Sequence, residues 1–471
     1  MSKGQFHTLL KKSSYASVGV LLSRVLSACA VIIMSRVVGP ANFGIYASLW
    51  AVIRVTLALS ETGMTTGIKR DGARNYEYLP ILLGNTLLAK IVIGIIALLF
   101  ATLYYTAVVE FNSVHQSLTV PLVIIAFILF FIEPFFAVLQ VRGQQAQIAV
   151  LQIGKNLLFL TGFIALAVKG SGLKTFVWFQ AVLNCFFFIV VYFYSTGSLR
   201  VRFDLSQIAP QFFSSFVFGL SGVMYTTYTQ LPVLALAHFG SIEEVGYFAV
   251  AYRLIELLFL TAAAASNNAF LPSLFRLYRS NRKDFVEICG RMQLFFFSLG
   301  VVVSSSLYVS AEPLILFLQG DEYRPAIQAV RIMSWAVMLN MGILAAGCSL
   351  TAAGRMRIKI LLQLCVVAVV FLTSIFIIKP YGFLGASYTV CIMWGTLVIL
   401  YYPYAGYKRL ITSAGLFHLL LPSTLTIVAA VFTANLFYLP WVTKLTFFFF
   451  NAILVWLLTF LWFKKHPPIL H

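Results

Sequence analysis

Apolar residues run along nearly the whole chain in stretches of about 22 to 31, separated by short connections that carry charge or glycine and proline. The stretches fall at about 13–38, 43–69, 80–109, 118–140, 146–168, 174–197, 208–238, 243–271, 286–310, 325–352, 357–378, 383–404, 415–438 and 441–463. A hydrocarbon core about 30 Å thick is crossed by roughly 20 apolar residues of helix. The pattern therefore predicts an all-α polytopic membrane protein of about fourteen transmembrane helices. One stretch is irregular: 311–324, AEPLILFLQGDEYR, reads as partly re-entrant. Every connection is short, the longest being the basic one around 272–285, so no extramembrane domain is expected to house a site. Whatever the protein does, it does among its helices.

Composition agrees. Hydrophobic residues make up 61% of the 471 and charged residues 10%, against about 25% charged in soluble domains. The net charge of +19 would suggest nucleic acid in a soluble protein. Here the basic residues are spread over eight cytoplasmic segments with no aromatic-bearing soluble module, which argues against nucleic-acid binding. They follow topology instead. With the N-terminus inside, the odd-to-even alternation puts 21 of the 33 Lys and Arg on the cytoplasmic side and six on the other, leaving six within spans. Cytoplasmic connections collect such residues, so both termini are expected in the cytoplasm. The opening MSKGQFHTLLKKSS is not expected to be a cleaved leader, because the apolar run after it is too long and no small-residue cleavage site follows. Cys29, Cys185, Cys289, Cys348, Cys365 and Cys391 stand singly in or beside apolar runs and read as packing residues. No metal site and no cofactor are expected.

An internal repeat is visible. Val38-Gly39-Pro40-Ala41-Asn42-Phe43-Gly44-Ile45-Tyr46-Ala47 returns about 200 residues later as Phe239-Gly240-Ser241-Ile242-Glu243-Glu244-Val245-Gly246-Tyr247-Phe248-Ala249. Each copy is followed by a polar break, Ser60-Glu61-Thr62-Gly63 or Ser266-Asn267-Asn268, and then a basic connection. Six helices separate the copies, so the two halves have the same orientation and a substrate path between them.

Nine ionisable residues lie well inside the predicted spans: Arg24, Arg54, Glu61, Lys90, Glu133, Lys155, Arg253, Glu256 and Arg331. Facing lipid they would together cost on the order of 20–30 kcal/mol, so most must face a shared polar interior. At about 1.5 Å per residue, Arg24, Arg54 and Arg253 come to one depth near the midplane. Arg54 and Glu61 are seven apart and Arg253 and Glu256 three apart, so each pair shares a helix face. Overlaying the repeats places Arg54 on Glu256, one turn from Arg253. Structural ion pairs are the plain alternative for each of these residues. Six cations against three carboxylates leave an excess of three positive charges, which an anionic ligand would neutralise, and arginine suits diphosphate through bidentate hydrogen bonds. Arg24, Arg54, Arg253, Lys155, Lys90 and Arg331 are therefore the candidate substrate-binding residues. Among them Arg331 is placed to snorkel to the outer surface and Lys90 to reach the cytoplasmic one. Glu61, Glu133 and Glu256 are candidates for coupling or for ion pairing. Pro134 and Pro232 mark expected kinks that free backbone carbonyls. Trp50, Tyr225, Tyr228 and Tyr252 are candidate sugar contacts or packing residues.

GPANFGIYA after the first span, the basic run after the second, PLILFLQGDEYRPAIQAVRIMSW at 313–335 and LTAAGRMRIK at 350–359 resemble the Wzx-type polysaccharide transporters. These are flippases of lipid-linked oligosaccharides in the MATE-like MOP superfamily. The resemblance implies two six-helix lobes, 1–199 and 200–410, with two further helices and a cytoplasmic tail in 411–471. It also implies alternating-access transfer of undecaprenyl-diphosphate-linked repeat units, of O-antigen or a related surface polysaccharide as in lipopolysaccharide biosynthesis, across a bacterial inner membrane. Coupling to H+ or Na+ antiport, and a polysaccharide polymerase and chain-length regulator as partners alongside the bilayer lipid, belong to the same implication. Lipid II flippases of the superfamily carry arginines on their first, second and eighth helices, where Arg24, Arg54 and Arg253 stand here. A MATE-type drug or cation exporter and a membrane polymerase or ligase are the alternatives. Exporters of the superfamily usually have twelve helices and rely on acidic cavity residues, and the cationic excess argues against them; polymerases and ligases carry a large outer loop, which this sequence lacks.

Overall fold

The computed structural model describes residues 3–411, apart from 62, 74, 109–112 and 198–200, together with residue 428. The expected spans at 415–438 and 441–463 lie outside the described residues, as do the basic residues Arg74, Arg200, Lys444, Lys464 and Lys465. The described chain is helical throughout: α1 (Lys3–Ser60), α2 (Met64–Gly72), α3 (Leu79–Val108), α4 (Ser113–Val141), α5 (Gln145–Val168), α6 (Leu173–Thr196), α7 (Leu205–Phe239), α8 (Ile242–Ala269), α9 (Leu271–Ser280), α10 (Arg282–Gln319), α11 (Ala326–Ala352), α12 (Met356–Thr373) and α13 (Lys379–Tyr407).

Among the described residues nine helices are long and apolar enough to cross a membrane, or ten if the bent pair within α7 is one span. Two of these runs, Leu22–Leu59 and Met356–Tyr407, differ from the similarly long Ile242–Ser280 and Arg282–Gln319 in carrying non-helical backbone inside a helix. Each contains a glycine in the left-handed region, Gly39 (φ 76°) and Gly382 (φ 54°), where an L side chain is disfavoured and helix cannot continue. Each run is therefore two crossings joined at a kink. The expected count of fourteen includes the two spans that are not described.

Several local expectations change. The predicted span 43–69 is interrupted, because α1 ends at Ser60 and α2 starts at Met64, with Gly63 at φ 82° between them. The 311–324 stretch is not re-entrant: α10 runs through Pro313 to Gln319 and ends in a 3-10 turn over Asp321–Tyr323. Tyr323 is buried there, and Arg324 bonds Asp321 at 2.9 Å. In α7 the bend of 44° falls at 213–215 and not at Pro232, through which the helix continues. At that bend a Cβ on Gly63 would overlap the carbonyl oxygen of Ser215, and one on Gly67 would crowd its hydroxyl.

The chain forms two compact units, Met1–Gly246 and Tyr247–His471. In the first, α1 packs along α5 and α7, α4 along α6, and α2 against α4 and α7. One dry cluster joins Ile68, Leu83, Ile132, Phe136, Ile148 and Val191 from α2 to α6. In the second, α11 lies between α10 and α13. The repeat has a physical counterpart. A Cβ on Gly44 would overlap the carbonyl oxygen of Ile242, and a Cβ on Gly246 would overlap that of Pro40. Each glycine thus receives the residue four positions before the other, a reciprocal contact between the two copies.

Candidate functional site

The first unit gathers polar groups inside apolar helices. Glu61 sits just past the end of α1, its backbone N–H still bonded to the carbonyls of Leu57 and Ala58. Its carboxylate accepts from Lys90 Nζ of α3 at 2.9 Å, with Lys90 only 2% exposed and Glu61 39%. Lys90 therefore does not reach out to the aqueous surface as expected from its position. It donates a second bond, at 3.0 Å, to the carbonyl of Phe130 and lies 4.9 Å above that residue's ring. The reason is covalent: the α4 residue that would bond the Phe130 carbonyl is Pro134, which has no N–H. The lysine takes the acceptor the proline leaves open.

Lys155 of α5 is held in a similar way. Its Nζ donates to Asn184 Oδ1 at 2.7 Å and lies 5.0 Å over the ring of Phe187. Asn184 donates to the carbonyl of Gln180 at 2.7 Å, and the Gln180 amide oxygen accepts from the Tyr46 hydroxyl at 3.2 Å. Beside Lys155, Asn156 donates to the carbonyl and hydroxyl oxygens of Ser23 at 2.9 and 2.6 Å. These bonds pin α5 to α1 at the residue before Arg24. Replacing Asn184 by leucine is expected to lower stability by about 1 kcal/mol, through a half-buried ammonium left without its acceptor, read as a lower thermal midpoint in detergent; an unchanged midpoint would refute that role.

Glu133, in the middle of the α4 span, is exposed and within electrostatic reach of Glu61, Lys69, Lys90 and Lys155. A carboxylate facing hydrocarbon is costly; the charged groups in reach of Glu133 come from the end of α1 and from α2, α3 and α5. Arg24 and Arg54 are half-buried on the two arms of α1. Glu61 directly follows the last residue of α1, two turns beyond Arg54.

In the second unit, Arg253 bonds Glu256 at 3.3 Å, with 27% and 12% of the side chains exposed, as their spacing predicts. Arg331 approaches Glu312 of α10 at 3.6 Å, a carboxylate absent from the sequence inventory because it falls in the irregular stretch. Lys359 stands in α12 and donates to the Thr351 hydroxyl at 3.2 Å. Tyr228 and Tyr252 are buried; Tyr252 stacks on Phe248 at 5.6 Å and Trp50 on Tyr46 at 5.9 Å. All six cysteines are free thiols. No group of three or more His, Cys, Asp or Glu able to hold a metal occurs among the described residues.

The profile of one family, described as "Polysaccharide biosynthesis protein", matches residues 9–278, more than half of the chain. The chain belongs to this family. A curated relative, the capsular polysaccharide biosynthesis protein CapF of Staphylococcus aureus, is 23% identical over 219 residues, 46% of this chain and 54% of CapF. The chain thus matches about half the length of that relative. Among solved structures, the lipid II flippase MurJ in an inward closed conformation superposes with a TM-score of 0.78 at 12% identity, covering 96% of this chain and 99% of MurJ. An inward-facing multidrug resistance MATE transporter of the MOP superfamily gives 0.66 at 15% identity, over 82% and 94%. The MATE multidrug transporter DinF-BH gives 0.61 at 18%, over 85% and 95%. This polysaccharide biosynthesis protein is therefore a multi-pass membrane protein with the MOP fold, as the sequence predicts.

In the family member seen here, the polar partners Asn184, Gln180, Asn156 and Ser23 are what charge counting misses. Gln180 and Asn184, four apart in an apolar run, are the sequence signal that would have found them.

Proposed function

We propose that the protein is a flippase. It carries undecaprenyl-diphosphate-linked oligosaccharide repeat units, of O-antigen or a related surface polysaccharide, across the bacterial inner membrane by alternating access. Both termini are cytoplasmic in this reading, and 1–199 and 200–410 act as lobes, with 411–471 added to them. The observation that carries it is the exposed Glu133 within an apolar span, with Glu61, Lys69, Lys90 and Lys155 in reach. It supports a hydrated, predominantly cationic face inside the bilayer of a polysaccharide biosynthesis protein. Such a face suits a diphosphate and a glycan while the prenyl chain stays in lipid. Arg24, Arg54 and Arg253, with Lys155, Lys90 and Arg331 as further contacts, are the proposed phosphate ligands. Glu61, Glu133 and Glu256 are the proposed coupling or pairing carboxylates, driven by H+ or Na+ antiport. A polymerase and a chain-length regulator are the proposed partners downstream.

Cells lacking the gene should accumulate the lipid-linked repeat unit on the cytoplasmic side and lose the surface glycan. Arg54→Ala or Arg253→Ala should fail to restore the glycan while reaching the membrane at normal levels. Normal glycan from both variants would overturn the site; normal glycan in deletion cells that retain a cationic dye would favour a drug exporter.

A further inference from the structure

The short helix α9 joins two helices of membrane length, α8 and α10, and is two-faced. Leu274 is fully buried. The opposite face, Pro272, Phe275, Arg276 and Arg279, is exposed throughout, at the i, i+3, i+4, i+7 spacing of one helix side. Phe275, at 46% exposure, thus stands between guanidinium groups on the outside of the protein. The following residues extend the positive surface. Arg282, opening α10, lies 4.5 Å over the ring of Tyr278 and 5.4 Å over that of Phe285. It also donates to the carbonyl of Lys408 at 3.2 Å, so Lys408 is held at the same end of the unit. Of the nearby carboxylates, Glu287 is bonded by Arg291. From 271 to 291 there are five basic and two acidic residues.

We propose that the α9 face and the start of α10 form a docking surface for anionic phospholipid headgroups of the surrounding bilayer. Arg276 and Arg279 take phosphate oxygens, and Phe275 enters the boundary between headgroups and acyl chains. Guanidinium suits phosphate through paired N–H donors, and an amphipathic helix with basic residues and an aromatic beside them lies in the plane of the interface. A headgroup with net negative charge is favoured over a zwitterionic one, whose ammonium cancels the attraction. The inference is independent of what the protein transports.

The full-length protein, purified in detergent, is incubated with equimolar phosphatidylglycerol and phosphatidylcholine, and retained lipids are counted by native mass spectrometry. Several-fold more phosphatidylglycerol is expected on the wild type and on Arg324→Gln, an exposed arginine beyond the other end of α10, about 57 Å of helix away. The Arg276→Gln/Arg279→Gln variant should bring the ratio near one. In a second measurement, Phe275→Trp in nanodiscs should add fluorescence that brominated phosphatidylglycerol quenches more than brominated phosphatidylcholine. A preference that survives in the double variant, or no preference in the wild type, or equal quenching by the two lipids, would overturn the proposal.

Discussion

Gly44→Val and Gly246→Val are each expected to strip the protein from the membrane or lower its thermal midpoint sharply, a loss of about 3 kcal/mol or more. Even a single methyl at either position would occupy the space of a backbone carbonyl oxygen, Ile242 in one case and Pro40 in the other. A backbone group cannot swing aside as a side-chain tip can, so the start of α8 must move off the kink in α1. Overpacking of a tight contact costs typically 1–3 kcal/mol, and a branched side chain adds to that. Gly222→Ala is the control. It lies within α7 with nothing inside 4 Å of the new methyl, and helical glycine is less stable than alanine by about 0.5–1 kcal/mol. Midpoints measured side by side should fall for the first two and hold or rise for the third. Wild-type behaviour of Gly44→Ala would show that the two segments are not in the close contact described.

Lys90→Ala should cost about 3 kcal/mol, because it removes a buried side chain, deprives Glu61 of its ion partner and leaves the Phe130 carbonyl without a donor. The exposure of Glu61 keeps the figure below that of a fully enclosed pair. Lys90→Met retains most of the volume and isolates the polar loss. The proline makes the explanation testable on its own. Pro134→Ala supplies the missing N–H, so in that background Lys90→Met should cost about 1 kcal/mol less than it does alone. Equal costs in both backgrounds would mean that the lysine is not serving the freed carbonyl.

Much of this was legible beforehand, and the failures are instructive. Apolar run length placed the helices because each must satisfy its own backbone in lipid, and glycine and proline marked the breaks. Spacing on one helix found Arg253 with Glu256. Lys90 read as a residue that stretches toward water, because only three-dimensional packing brings Pro134 of another helix against it. Neutral amides escaped notice for a related reason. Asn184 has meaning only once Lys155, nearly thirty residues away in sequence, is known to sit beside it.

The duplicated element has a consequence for genetics. Each copy supplies both a notch and the ridge that fills the other's notch, so a first methyl pries the segments apart and a second finds room already made. Combined alanines at 44 and 246 should be far milder than the sum of the two alone.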